Sequence, residues 1–260
     1  MSPRIIAIDW SGAASGAEKK IWLAEATAEG ELIRLETNRN RDEIASWLIA
    51  VMERGEPLVA GLDFGFSLPA WYLDQCGWQS APELWEQLAH GHAEALLQAC
   101  EPPFWGRAGR ARPDGDDQYR RTERDVAATY GVWPKSVFQI GGAGAVGTGS
   151  LRGMCALHRM REAGMSIWPF DASGHATALE IYPRLMTGPV RKSRADERAD
   201  YVEKHMARQS ADMRALAAST EDAFDAAISA LVMARHAATL AALPHVVDPQ
   251  LKREGIIWRP

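Results

Sequence analysis

The chain has 260 residues, enough for one large domain or two small ones with a real core. A hydrophobic fraction of 47% and a charged fraction of 24% are ordinary for a globular protein and argue against global disorder. A net charge of −5 argues mildly against a dedicated double-stranded DNA binder, though it leaves room for a local basic channel.

No uncharged apolar run approaches the roughly 20 residues of a bilayer span. The longest apolar region, 223–243, is interrupted by Asp225, Arg235 and His236. Residues 1–4 lead straight into a strand-like run, so no signal peptide is expected. Cys76, Cys100 and Cys155 are odd in number and form no C-x-x-C pair. They read as reduced thiols of a cytoplasmic protein, not as a disulfide or zinc framework.

In chain order, Arg4–Trp10 (RIIAIDW) is a short apolar run that ends in an aspartate and meets the turn residues Ser11-Gly12. It predicts a buried strand. Residues 20–27 and 31–37 predict two more strands joined by Ala28-Glu29-Gly30 as a hairpin. Within 40–54, Ile44, Trp47, Leu48 and Val51 recur at helical spacing, with Asn40 or Asp42 as the cap. Residues 58–66 (LVAGLDFGF) then predict a second buried strand, again with an aspartate, Asp63, at its far end. A hairpin followed by a helical crossover to a parallel strand gives a mixed sheet.

The middle of the chain is expected to be a helical and loop insertion, 70–135, within a single domain covering 1–260. Residues 136–140 suggest a short strand. The run 141–149 (GGAGAVGTG) lacks the G-K-[ST] ending of a phosphate loop and reads as a flexible turn before a helix at 151–163. Strands are expected at 166–170 and 178–181, and helices at 193–217 and 221–240. The closing GIIWRP is hydrophobic enough to dock on the body.

Four places put carboxylates where an α/β core has no need of them. Asp9 and Asp63 end predicted central strands, Glu180 lies in the apolar strand ALEIYP, and Asp222 and Asp225 stand three apart on one face of the last long helix. Isolated buried carboxylates are costly, and several together call for a divalent cation with oxygen ligands. Bland roles compete: Ser219 with Asp222 as a helix start, Asp9 and Asp63 as turn caps, and Glu180 pointing to solvent from an edge.

IAIDWSG, LVAGLDFGFSLP, ALEIYP and EDAFDAAISAL, in that order, resemble a family of predicted nucleases of the ribonuclease-H-like superfamily (domain of unknown function 429). The resemblance spans nearly the whole chain. It implies an α/β fold with a ribonuclease-H-like mixed five-stranded sheet flanked by helices. It also implies that an aspartate on the first strand, an acid on the fourth and an acid on the last helix hold Mg²⁺ or Mn²⁺. Asp9, Asp63 and Asp225 match those positions as catalytic residues. Glu180 and Asp222 are further metal ligands on this reading, whereas the helix glutamate of classical ribonuclease H has no clear counterpart here; Glu43 lies near the start of the first helix. The segment YRRTER resembles an arginine/acid signature of the same family, which adds Arg121 and Glu123 to Trp10 and Ser11 as substrate-contacting residues.

The implied activity is metal-assisted phosphodiester hydrolysis of nucleic acid, RNA or DNA. Arg107, Arg110, Arg112, Arg120, Arg121 and Arg124 are candidate phosphate contacts, with Asp114, Asp116, Asp117 and Glu123 as neutralising neighbours. His158, His175, His205 and His236 are candidate proton carriers, set against ordinary surface or core roles. Trp10, Trp71, Trp78, Trp85 and Trp105 offer base stacking or, by default, core packing. Two rivals stand beside the nuclease: an ATP-dependent phosphotransferase of the actin-like class, and a non-catalytic module that keeps the fold without the metal.

Overall fold

The apolar run that opens the chain forms β1 (Arg4–Asp9), buried on both faces. Ile6 and Ile8 enter one apolar layer while Ile5 and Ala7 enter the other, following the two-residue period of a strand. The computed structural model describes residues 2–115 and 117–260. Met1 and Asp116 lie outside the described residues.

The expected hairpin is β2 (Trp22–Ala26) and β3 (Leu32–Glu36), each antiparallel to its neighbour. Helix α1 (Arg41–Glu53) begins at a capping box, in which the Asn40 side chain accepts from the Glu43 N–H and the Glu43 carboxylate accepts from the Asn40 N–H. Strand β4 (Leu58–Leu62) then lies parallel to β1, with Leu62 opposite Ile8.

The span 70–135 contains α2 (Ala70–Cys76), α3 (Ala81–Gln87), α4 (Ala93–Ala99) and α5 (Arg121–Tyr130). Tyr72, Leu73, Leu84, Trp85 and Leu97 from these helices join the same buried cluster as Ile6 and Ile8. Residues 136–140 do not form the expected strand; they run beside Trp105, which exchanges backbone hydrogen bonds with Phe138 and Ile140, and they bury Val137, Phe138 and Ile140 in the core.

Helix α6 (Gly147–Glu162) starts four residues earlier than predicted, inside the glycine-rich run. Its glycines serve close approach: a Cβ on Gly153 would lie 2.6 Å from the Phe64 ring. A Cβ on Gly12, in the turn after β1, would lie 2.4 Å from the Gly149 nitrogen. Helix α6 can therefore press against the turns that follow β1 and β4.

A two-residue β5 (Ser166–Ile167) and β6 (Ala176–Glu180) complete a six-stranded mixed sheet in the order β3-β2-β1-β4-β6-β5, one strand more than expected. The rest is helical: α7 (Pro183–Thr187), α8 (Ala195–His205), α9 (Ala211–Ser219), α10 (Glu221–Arg235), α11 (Ala237–Leu240) and α12 (Pro249–Glu254). The span 193–217, predicted as one helix, breaks before Ser210, whose side chain caps α9. Apolar residues of α1 and α6 cover one face of the sheet, and those of α8, α9 and α10 cover the other. Among the described residues no helix is long and apolar enough to cross a membrane.

Candidate functional site

Parallel pairing of β1 with β4 brings their C-terminal ends to the same edge of the sheet. The Asp63 N–H donates to the Ile8 carbonyl at 3.0 Å, so Asp63 stands beside Asp9. Asp9 pairs in register with Trp22, whose ring lies in the layer beneath α10. Helix α10 packs across β1 and β2 and delivers Asp225, which is 2% exposed, to the same place.

Asp9 and Asp63 keep part of their surface open, but neither carboxylate accepts a hydrogen bond from the described residues. Burial, reinforced by Asp63, Asp225 and Asp222, holds the Asp9 carboxyl well above the usual carboxylate range. Burial and the neighbouring Asp225 push Asp63 up to about 8. Asp225 is pushed up to about 6 by burial, against the pull of Lys192. Asp222, on the outer first turn of the helix, is raised by its own partial burial. The cap of α10 is Thr220, which accepts from the Ala223 N–H, so Ser219 with Asp222 is not the helix start.

One cation meets this cluster. Lys192, from the segment between α7 and α8, donates to Asp225 Oδ2, leaving Asp225 Oδ1 buried without a partner. Burial would lower the lysine, but Asp225, Asp9 and Asp63 together raise it. A single ammonium offsets three carboxylates only in part. Lys192 and Asp63 line a cavity of about 340 Å³ together with Tyr182, Pro134, Lys135 and Arg120. Among the described residues no group of three or more His, Cys, Asp or Glu side chains is set to hold a metal as it stands.

Glu180 and Glu123 line the same cavity as Asp63, and Glu180 helps to raise Asp63, but Glu180 is also tied into a network with Arg120. Leu62 and Glu180 are register partners, and Leu62 lies in the layer opposite to the one Asp9 faces. The Glu180 carboxylate accepts from Arg120 at 2.5 and 2.8 Å and from the Phe66 N–H at 2.9 Å. Arg120, 1% exposed, also binds Glu123 and the Glu254 carbonyl. Its guanidinium is raised above its ordinary value because Glu123 and Glu180 outweigh burial. Burial pushes Glu123 up to about 7 in spite of Arg120. Both Glu180 oxygens are thus paired with Arg120 in a carboxylate that also lines the cavity beside Asp63. Glu123 likewise serves this core, with Oε2 buried and unpartnered.

The closing residues seal the network. Ile257 bridges to Glu180 and donates to Thr122 Oγ1 at 2.8 Å, while Trp258 packs at 5% exposure. The expected docking of the tail is observed.

The other predicted contacts are mostly occupied. Trp10 is 8% exposed and packs on Phe64 at 4.8 Å between ring centroids, so it offers no free face. Ser11 Oγ accepts from the Ala13 N–H within the turn. Arg121 pairs with Asp248 at 2.6 Å. His175 bonds the Gly55 carbonyl at 2.7 Å, His205 stacks on Tyr201 and His236 meets Trp258; none of them lines the cavity. Sequence reasoning missed Lys192, which sits in a loop with no periodic pattern, and it passed over Arg120 in favour of its neighbour. The chain matches no described protein family, no curated protein and no solved structure.

Proposed function

We propose that the chain is a divalent-metal-dependent nuclease of the ribonuclease-H-like kind, with Asp9, Asp63 and Asp225 as its catalytic carboxylates. One observation carries this reading: three carboxylates from three separate elements converge at the C-terminal ends of β1 and β4, close enough to raise one another's protonation, and among the described residues Lys192 is the cation bonded to them. A core that needed only packing would place apolar residues there. A mixed sheet flanked by helices, with β2 antiparallel and β4 parallel to β1, supports the mixed α/β sheet that the sequence resemblance implies, with six strands in place of five.

The donor set fits Mg²⁺ or Mn²⁺: it is all oxygen, it carries excess negative charge, and Asp225 Oδ1 is buried without a partner. Asp9, Asp63 and Asp225 would hold the ion, with Asp222 at the rim, and it would supply charge neutralisation and Lewis acidity toward a phosphodiester. Hydrolysis joins a water oxygen to phosphorus and breaks one P–O ester bond. The water's proton passes to solvent and the departing ester oxygen takes one up, while the Asp63 carboxyl, raised to about 8 by burial in the metal-free chain, has to give up its proton for an ion to be held there. The Lys192 ammonium, flexible on its stem, can turn from Asp225 toward a phosphate oxygen at the cavity mouth.

The test is cleavage of labelled RNA and DNA, single-stranded and duplex, in Mn²⁺ and Mg²⁺. Asp9→Asn and Asp63→Asn are each expected to abolish metal-dependent cleavage without loss of fold. Full activity in either variant sinks the proposal. The Lys192–Asp225 ion pair favours one alternative, a binding module that keeps the fold with lysine in place of the metal. Calorimetric titration with Mn²⁺ separates the two, since a module of that kind takes up none.

A further inference from the structure

Beside the carboxylate cavity lies a second hollow of about 310 Å³, lined by Arg112, Tyr119, Trp133, Pro134 and Lys135. Pro134 and Lys135 line both hollows, so the two meet there. Trp133 is 51% exposed, which is unusual for the largest apolar side chain. Its orientation is fixed: its ring lies 5.0 Å from that of Tyr119. Arg112 covers the Tyr119 ring at 5.8 Å and donates to its hydroxyl at 3.2 Å. Among the described residues the lining thus combines two aromatic rings and two cations and no acid, in a protein whose net charge is −5.

An exposed aromatic held in place next to cations is the arrangement that binds unpaired bases, with rings taking the base faces and cations the phosphates. A duplex keeps its base faces stacked inside and has none to offer. We infer that Trp133, Tyr119, Arg112 and Lys135 form a stacking platform for single-stranded nucleic acid, which leads a strand past Pro134 to the carboxylates. The platform names the substrate class of the nuclease proposed above and rests on that reading for its catalytic meaning.

The experiment is fluorescence anisotropy of a short fluorescein-labelled oligothymidylate on the full chain in EDTA, where metal-dependent cleavage is silent. Trp133→Ala is expected to weaken binding by about 5- to 150-fold, the usual range for one lost stacking ring. Trp133→Phe should restore most of it, and Arg112→Ala should weaken binding and flatten its salt dependence. A duplex of the same length should compete poorly. Undetectable binding by the wild-type chain, unchanged affinity in Trp133→Ala, or equal competition by the duplex would each overturn the platform. A strand bound through Trp133 but never cut in Mn²⁺ supports the platform and sinks the catalytic reading alone, so the two failures are distinguishable.

Discussion

Replacing Asp63 by Asn removes one of the three ionisable carboxyls that meet at the sheet edge and leaves the side-chain shape nearly unchanged. In the folded chain this carboxyl holds its proton up to about 8 against an ordinary 3.8, through burial first and Asp225 second. The protonated form is therefore the one that folding favours. The stability it confers is complete below the ordinary value and is lost as pH rises toward about 8. At about 1.4 kcal/mol per unit, the linkage has removed an upper bound of about 4 kcal/mol by neutral pH. Asp63 opens onto the cavity and feels Lys192, so roughly half, ~2 kcal/mol, is the expected gain in Asp63→Asn at about pH 7. Urea unfolding in EDTA, followed by tryptophan fluorescence at several pH values, measures it. The gap should be near zero at about pH 4 and widen toward about pH 8. Saturating Mn²⁺ should reverse the ranking by stabilising the wild type alone. A variant less stable than the wild type at high pH, or a gap that ignores pH, refutes the electrostatic reasoning.

Lys192→Gln leaves Asp225 buried without its cation. It should lower metal-free stability by about 2 kcal/mol at about pH 8, with the loss shrinking below about 6 as Asp225 takes up a proton. The same variant should bind Mn²⁺ several-fold tighter by calorimetry, because a competing positive charge is gone. Glu180→Gln breaks the buried pair with Arg120 and should cost about 3 kcal/mol in urea unfolding, with Mn²⁺ affinity unchanged. A parallel loss of Mn²⁺ affinity would mark Glu180 as a ligand. Gly12→Ala sets a Cβ 2.4 Å from backbone that cannot yield. It should cost roughly 2 kcal/mol or more, read as a lower Tm.

The strands that carry Asp9 and Asp63 were legible because each is a short apolar run interrupted by a charge, a pattern that packing alone does not produce. Asn40 with Glu43 announced α1 because the capping box is a local motif. Helix α10 was legible as a long alanine-rich run that carries Asp222 and Asp225 three apart. The partners of those acids were not readable: Lys192 and Arg120 meet their carboxylates through contacts spanning 33 and 60 residues, and no local spacing encodes such a meeting. The pairing of Glu180 was hidden for a related reason. A strand glutamate in an apolar run has the same signature whether it binds a metal or a buried arginine; the face it points to, set by register with Leu62, decides which. The glycines of 141–149 suggested flexibility because the sequence does not reveal what approaches them. In the fold, Gly147 and Gly149 begin a helix seated against the turn after β1.

Asp9 and Asp63 belong to the first quarter of the chain, whereas Asp225 comes near its end. During synthesis the paired strands β1 and β4 can therefore form while their carboxylates still face water, at little electrostatic cost. The cost arises only when α10 lands across β1 and β2 and shuts the water out. Docking of α10 is then the step that confronts like charges, and Lys192, 33 residues before Asp225, is already made when that step comes. A ribosome thus releases the counterion loop ahead of the helix that requires it.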